Sequence, residues 1–285
     1  MYKGFLEPAY LWRHIVIWLC IAFAILPVLW IISASFDPSN TIIGQKLIPS
    51  NPSLENYRKL FNDPTHPFGR WMLNTLKVSF ITSALVVIMT SLAAYSFSRF
   101  RFRGRKTGLF SILLIQMFPQ MLAMVAIYLL LLWIGERFAR FGLNTHGGLI
   151  LVYLGGAMGV NVWLMKGYFD TIPTSLEEAA TIDGATRFQC FYKVILPLSR
   201  PILVVIFFLQ FIGTYSEYVL AKVLLSSNNV LTLAVGLQTF IGDQYAKRWG
   251  VFSAAAIIGS APILILFALL QNQLVSGLTR GAVKE

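Results

Sequence analysis

The chain has 285 residues, of which 56% are hydrophobic and only 12% charged, with a mean hydropathy of +0.68. So few charges cannot cover a soluble globule of this length, which leaves a membrane protein. The net charge of +11 does not indicate nucleic acid, because the basic residues flank apolar runs and form no stripe interleaved with stacking aromatics; anionic lipid headgroups account for it.

In chain order, the first apolar run covers 14–36, long enough at about 1.5 Å per residue to cross a hydrocarbon core of about 30 Å. No small-x-small cleavage signal follows it, which predicts an uncleaved first span behind Lys3 and Arg13. Residues 37–70 are polar and broken by Pro38, Pro49, Pro52, Pro64 and Pro67, with Leu54, Tyr57, Leu60 and Phe61 at helical spacing, so an outer loop with one small helix is expected. The second span is 71–97. Arg99, Arg101, Arg103, Arg105 and Lys106 follow it, and so dense a basic cluster stays inside. The third span is 109–134, interrupted by Pro119, and 136–148 forms an outer turn in which Asn144-Thr145-His146-Gly147-Gly148 reads as a turn with His146 held by backbone partners. Spans four, five and six are 149–169, 202–223 and 251–275, separated by a polar interlude at 172–201 and a loop at 224–249. The expected fold is one all-α transmembrane domain over 1–285, with six spans and both termini inside. Gly155, Gly156 and Gly159 in span four are read as sites of close helix packing. Cys20 and Cys190, far apart and without a partner motif, are expected to be free thiols.

Within 172–201, Ser175 and Glu178 have the spacing of a capping box. Leu176, Ala179 and Ala180 share a face, Asp183 closes the first helix, and Gly184 supplies a left-handed stop. Thr186 is placed to cap a second helix bearing Phe188, Phe191, Tyr192 and Ile195, ended by Pro197 and Pro201. From the residues alone, the stretch is an amphipathic connector at the membrane surface.

The run Glu178-Ala179-Ala180, three residues, Gly184, nine residues, Val194-Ile195-Leu196-Pro197 resembles the EAA signature of permease subunits of binding-protein-dependent ABC importers, with Val194 where that family usually carries Ile. Gly142 to Gly148, Tyr153-Leu154-Gly155-Gly156, Lys166-Gly167-Tyr168-Phe169, Leu231 to Gln238 and Gly277 to Lys284 are similar to the second permease subunit of maltose/maltodextrin importers. The resemblance implies a permease of the cytoplasmic (inner) membrane of a bacterium or archaeon. Its implied partners are a larger permease subunit, an ATPase homodimer and an extracytoplasmic sugar-binding protein, with ATP and Mg on the ATPase and no cofactor in this chain. It further implies that Glu177, Glu178, Ala179, Ala180, Asp183 and Gly184 dock on the ATPase, and that Thr279, Gly281, Val283 and Lys284 form a tail that contacts it. By position, Gly242, Asp243, Gln244 and Tyr245 enter the sugar cleft of the binding protein. The sugar in the membrane is held mainly by the larger permease, so no sugar ligand is assigned in this chain.

The alternative, a channel or ion-coupled carrier acting without an ATPase, lacks support in the spans, whose main ionisable residues are Glu217 and Lys166. An ion-driven carrier needs a titrating or coordinating group at midplane. The chain has no Walker-type glycine loop, so its energy comes from a partner, and no paired carboxylates or nucleophile-base set suggest an enzyme.

Overall fold

The computed structural model describes residues 8–41, 43–119, 121–242 and 247–280, with only the helical backbone at 8–11 and 275–280. Among the described residues every regular element is helical. The elements are α1 Pro8–Phe36, α2 Glu55–Asn62, α3 Phe68–Arg99, α4 Arg105–Gln116, α5 Met124–Arg137, α6 His146–Asp170, α7 Ser175–Ile182, α8 Arg187–Gln189, α9 Leu196–Leu198, α10 Arg200–Ser216, α11 Val219–Leu224, α12 Leu233–Thr239 and α13 Trp249–Arg280. A 3-10 turn, Ala139–Phe141, precedes α6, and a π turn, Cys190–Ile195, joins α8 to α9. Among the described residues four helices are long and apolar enough to cross a membrane: Trp12–Phe36, Phe68–Arg99, His146–Asp170 and Trp249–Leu274. Arg187–Leu198 with Arg200–Ser216, bent by 76°, makes a fifth if the bent pair is one span.

The third expected span is therefore not one helix. It divides into α4 and α5, with residues 117–123 between them, because Pro119 has no N–H and biases its predecessor away from helix. Span five likewise ends early: α10 stops at Ser216, and Glu217, extended at φ −68° and ψ 126°, turns the chain before α11. The Glu217 carboxylate then accepts the Leu220 and Ala221 amides at 2.8 and 3.0 Å, satisfying the free donors of α11. α12 lies within the stretch expected to be a loop, and α13 runs on to Arg280, past the expected end of span six.

The chain forms two compact units. The first comprises Met1–Gly69 with Gly236–Ala261. In it the Asn56 side-chain amide donates to the Ser35 and Asp37 carbonyls at 3.0 and 2.7 Å, and the Tyr57 hydroxyl donates to Ser35 Oγ at 2.8 Å. These bonds fasten α2 to the end of α1. The small helix is thus present, but Asn56 and Leu60 form its buried face while Leu54 and Phe61 are exposed.

The second unit comprises Arg70–Val235 with Pro262–Glu285. Its core gathers Val86, Met165, Phe169, Ile195, Ile206 and Leu274. Along α3 the hydroxyls of Thr75, Ser83 and Thr90 are buried and bond the carbonyls four residues back, which removes their desolvation cost and lets neighbours approach closely. α4 meets α6 through Gln116. Its Nε2 donates to the Gly156 carbonyl at 2.7 Å and its Oε1 accepts the Val160 N–H at 2.8 Å, two groups that pair with each other in an ideal helix. Gly159 permits this approach, since a Cβ there would meet Gln116 Oε1 at 2.4 Å. Gly155 instead faces open space, with nothing within 4 Å of a built Cβ. Cys20 and Cys190 are both free.

Candidate functional site

α7 begins differently from its sequence pattern. Thr174, not Ser175, is the residue before the helix, and its own angles are helical (φ −64°, ψ −26°). The first amides are taken by the Pro173 and Thr174 carbonyls, so the Ser175–Glu178 capping box does not form. The C-terminus matches expectation. Gly184 has φ +85°, its N–H bonds the Thr181 carbonyl at 3.0 Å, and the Ala185 N–H reaches back to Ala180 at 2.9 Å, which is the Schellman pattern. The capping box of the interlude is one helix later: Thr186 Oγ1 accepts the Gln189 N–H at 3.2 Å while Gln189 Oε1 accepts the Thr186 N–H at 2.7 Å.

Beyond it the helix widens into the π turn, where the Leu196 N–H reaches Phe191, five residues back, just ahead of Pro197, which has no N–H of its own. Pro201 opens α10 rather than ending the preceding helix, since the first turn of a helix tolerates a missing donor.

The two neighbouring glutamates face opposite ways. Glu177 is 3% exposed; its carboxylate pairs with Arg99 Nε and accepts the Tyr95 hydroxyl at 2.8 Å. Arg99 also donates to the Ile172 carbonyl at 2.8 Å and Ser98 Oγ at 3.0 Å, so one guanidinium fastens both ends of the 172–177 stretch to the end of α3. Glu178, Ala179, Asp183 and Gly184 are exposed and Ala180 is partly covered. The face buried is the one carrying the glutamate, and the apolar side chains point out: Ile182 is 87% exposed and Phe188 65%. Of the two residues that position the helix, the sequence marks Arg99 only as one of a basic cluster and Tyr95 not at all, because they lie far upstream; their one shared signal is the four-residue spacing that puts both on one face of α3.

The turn before α6 is structural. Thr145 Oγ1 accepts the Gly148 N–H at 3.0 Å, Asn144 Oδ1 accepts the Ser226 and Ser227 amides at 3.0 and 2.9 Å, and His146 Nε2 donates to the Val230 carbonyl at 2.9 Å.

Of the expected binding-protein loop, Gly242 is exposed, while Asp243, Gln244 and Tyr245 lie outside the described residues, as do Gly281, Val283 and Lys284 of the tail; Thr279 is described only as helical backbone. The base of that loop is closed. The Arg248 N–H bonds the Phe240 carbonyl at 2.9 Å, and its guanidinium donates to Asp63 at 2.6 Å and lies 5.4 Å above the Phe240 ring. His66 stacks on the Phe240 ring, with 4.9 Å between centroids, and its Nδ1 bonds Asp63 at 2.9 Å. Burial pushes the Asp63 carboxyl up, but the bonds from Arg248 and Thr65 and the charge of His66 outweigh it and hold Asp63 well below the usual carboxylate range. A lowered value contributes stability that is full above the unfolded value of about 3.9 and is lost as pH falls below it. Asp63→Asn is therefore expected to lower the melting temperature of the purified protein at pH 7, with the gap to wild type closing only below about pH 4. A gap that already closes near neutrality would show that the Asp63 carboxylate is not the group responsible.

Several apolar helices, with a short helix capped at its C-terminus by glycine, pinned from within by a buried ion pair and bare on its outer face, define a multi-pass membrane protein. The description of binding-protein-dependent transport system inner membrane components matches residues 86–280. The maltose/maltodextrin transport system permease protein MalG of Vibrio vulnificus (strain YJ016) is 46% identical over 282 residues, covering 95% of this chain and 94% of that protein. The MalG protein of Escherichia coli (strain K12) is 42% identical with the same coverage of 95% and 94%. Among solved structures, a bacterial ABC transporter involved in the import of the acidic polysaccharide alginate has a chain of similar fold, with a TM-score of 0.79 at 24% identity over 95% of this chain and 100% of that one. A bacterial alginate ABC transporter in complex with an alginate pentasaccharide-bound periplasmic protein gives 0.60 at 20% identity over 92% and 96%. The chain belongs to the family of binding-protein-dependent transport system inner membrane components and is a permease subunit of a bacterial ABC importer.

Proposed function

We propose that this permease carries maltose, maltodextrins or a closely related oligosaccharide, as one transmembrane domain over 1–285 with six crossings and both termini in the cytoplasm. The observation that carries the coupling assignment is the outward face of α7, where Glu178, Ala179, Asp183 and Gly184 are exposed beside Ile182 while Glu177 is held inside. That face suits the cleft of a cytoplasmic ATPase homodimer: Glu178 meets a basic residue, and the small Ala179, Ala180 and Gly184 allow close approach. Glu177 acts through Arg99, positioning the helix. ATP and Mg belong to the ATPase, and this chain holds no cofactor of its own. A larger permease completes the pathway, and an external sugar-binding protein docks near Gly242 to Tyr245. The tail from Thr279 to Lys284 reaches the ATPase. Supporting the sugar class are the MalG relatives.

The test is the reconstituted importer with its binding protein. Gly184→Trp adds bulk at a left-handed position and Glu178→Lys reverses the charge; each is expected to lower maltose-stimulated ATP hydrolysis and uptake by at least about tenfold, a loss of about 1.4 kcal/mol of coupling. Wild-type rates in both variants would remove α7 from the ATPase interface, and uptake that needs no ATP would favour a carrier acting alone.

A further inference from the structure

The turn between α3 and α4, residues 100–104, carries charge that the fold does not neutralise. Five basic residues fall within 99–106. Arg99 is taken up by Glu177, and Arg105 donates to the Ser98 carbonyl at 3.2 Å. Arg101, Arg103 and Lys106 are exposed and form no ion pair among the described residues. A face of this kind is ordinarily a solvated one, but here phenylalanines alternate with the arginines. Phe100 is 40% exposed and Phe102 47%, and water opposes the exposure of rings of that size.

The turn is also braced. The Phe100 N–H bonds the Ser96 carbonyl at 3.1 Å, the Arg105 N–H bonds the Phe102 carbonyl at 3.3 Å, and Gly104 takes the left-handed angle, φ +85°, that reverses the chain. Each ring leans on α3. Phe100 lies edge-on to Tyr95 with 5.6 Å between centroids, and Phe102 is tilted on Phe97 at the same distance of 5.6 Å.

Its depth follows from its neighbours. Ser98 Oγ donates to Asp170 at 2.5 Å, so the turn lies at the level where α6 ends. The 25 residues of α6 make a helix about 38 Å long, enough to carry that end just past a hydrocarbon core of about 30 Å. At this level an arginine meets phosphate and a ring meets the upper acyl chain.

We propose that Arg101, Arg103 and Lys106, with Phe100 and Phe102 as the apolar floor, form a binding site for the phosphate of an anionic phospholipid headgroup. The leaflet rests on the importer reading above, which places α7 in the cytoplasm; Arg99 ties α7 to this same end of α3. The outer face of α7 carries Glu178 and Asp183 and so calls for a basic partner. The turn, of opposite sign, calls for an acidic one. A lipid of net negative charge supplies it, whereas the cation of a zwitterionic headgroup cancels its own phosphate. Each basic residue near such a surface adds about fivefold in affinity.

The experiment uses the whole complex, this chain with its larger permease and its ATPase, stripped of lipid in detergent and titrated with phosphatidylglycerol or phosphatidylcholine. Bound lipid is counted by native mass spectrometry. Wild type is expected to bind phosphatidylglycerol more tightly than phosphatidylcholine. The triple variant Arg101→Gln, Arg103→Gln, Lys106→Gln is expected to lose at least about tenfold in affinity for the first phosphatidylglycerol bound. Arg103→Lys, which keeps the charge, should bind as wild type does, and so should Arg137→Gln with Arg140→Gln, a pair of charges removed at the other end of α6. If the triple variant does not assemble, wild type alone decides, since its preference for phosphatidylglycerol must shrink as salt rises. Equal affinity of wild type for the two lipids, a preference that salt leaves unchanged, or a triple variant that binds phosphatidylglycerol like wild type would overturn the site. Loss of the ATPase from the triple variant with lipid binding unchanged would assign the turn to the ATPase instead. Counting lipid requires no transport, so uptake that proceeds without ATP would overturn the importer reading and leave this result standing.

Discussion

Arg99→Ala is expected to disable the importer more thoroughly than any single change on the outer face of α7. It strands the Glu177 carboxylate, 3% exposed, with Tyr95 as its remaining polar contact from α3. Removing one partner of a buried pair costs about 3 to 5 kcal/mol, because the other charge stays desolvated. Arg99 also gives up its bond to the Ile172 carbonyl, so the chain entering α7 loses its anchor at the same time. The double variant Arg99→Met with Glu177→Leu removes both charges and is expected to recover most of the thermal stability, since an apolar pair of similar volume often matches a buried ion pair. Coupling should recover less, because the Tyr95 contact is gone as well. Melting temperature and maltose-stimulated ATP hydrolysis of the purified complex separate the two effects. Equal stability of the single and double variants would show that the pair is incidental to the placement of α7.

Gly148→Ala is expected to be as damaging, for a reason that involves no charge. A Cβ at Gly148 would meet the Gly142 carbonyl oxygen at 2.4 Å and that of Phe141 at 2.9 Å, and one at Gly147 would meet the Arg140 carbonyl at 2.2 Å. These are backbone atoms and cannot swing aside. The turn at 139–145 must move, taking with it Asn144, which holds Ser226 and Ser227. A cost of about 4 kcal/mol or more follows, in the exceptional tail for single substitutions. Gly155→Ala on the same helix is the contrast: nothing stands near its Cβ, and alanine favours helix by up to about 1 kcal/mol. Yield and melting temperature of the two variants should therefore diverge. Similar values would mean that the turn is softer than its contacts imply.

The spans with unbroken apolar runs were legible in the sequence because length and hydropathy alone decide them, as at Trp12–Phe36 and Trp249–Leu274. A stop set by backbone preference, at Gly184, and a start set by a capping side chain, at Thr186, were legible too. What failed depended on groups that meet only after folding. Whether Thr174 or Ser175 begins α7 is decided by local angles that two adjacent hydroxyl residues do not distinguish. Which of two neighbouring glutamates turns inward is decided by Arg99, 78 residues earlier. The break between α4 and α5 was visible as Pro119, but not its width, since both flanks remain apolar. Gln116 passed unremarked because a search for charged relays ignores amides, although hydrocarbon penalises an unpaired amide as well.

The bond between Gln116 and α6 has a consequence for how this sequence can drift. The side chain at 116 occupies the volume that any side chain at 159 would need, and it binds the backbone groups of Gly156 and Val160. Positions 116 and 159 are thus one unit of inheritance. A larger residue at 159 must push the Gln116 side chain aside and so costs its bonds to Gly156 and Val160, a cost that disappears once 116 has shortened. Related chains should accordingly vary at both positions together or at neither.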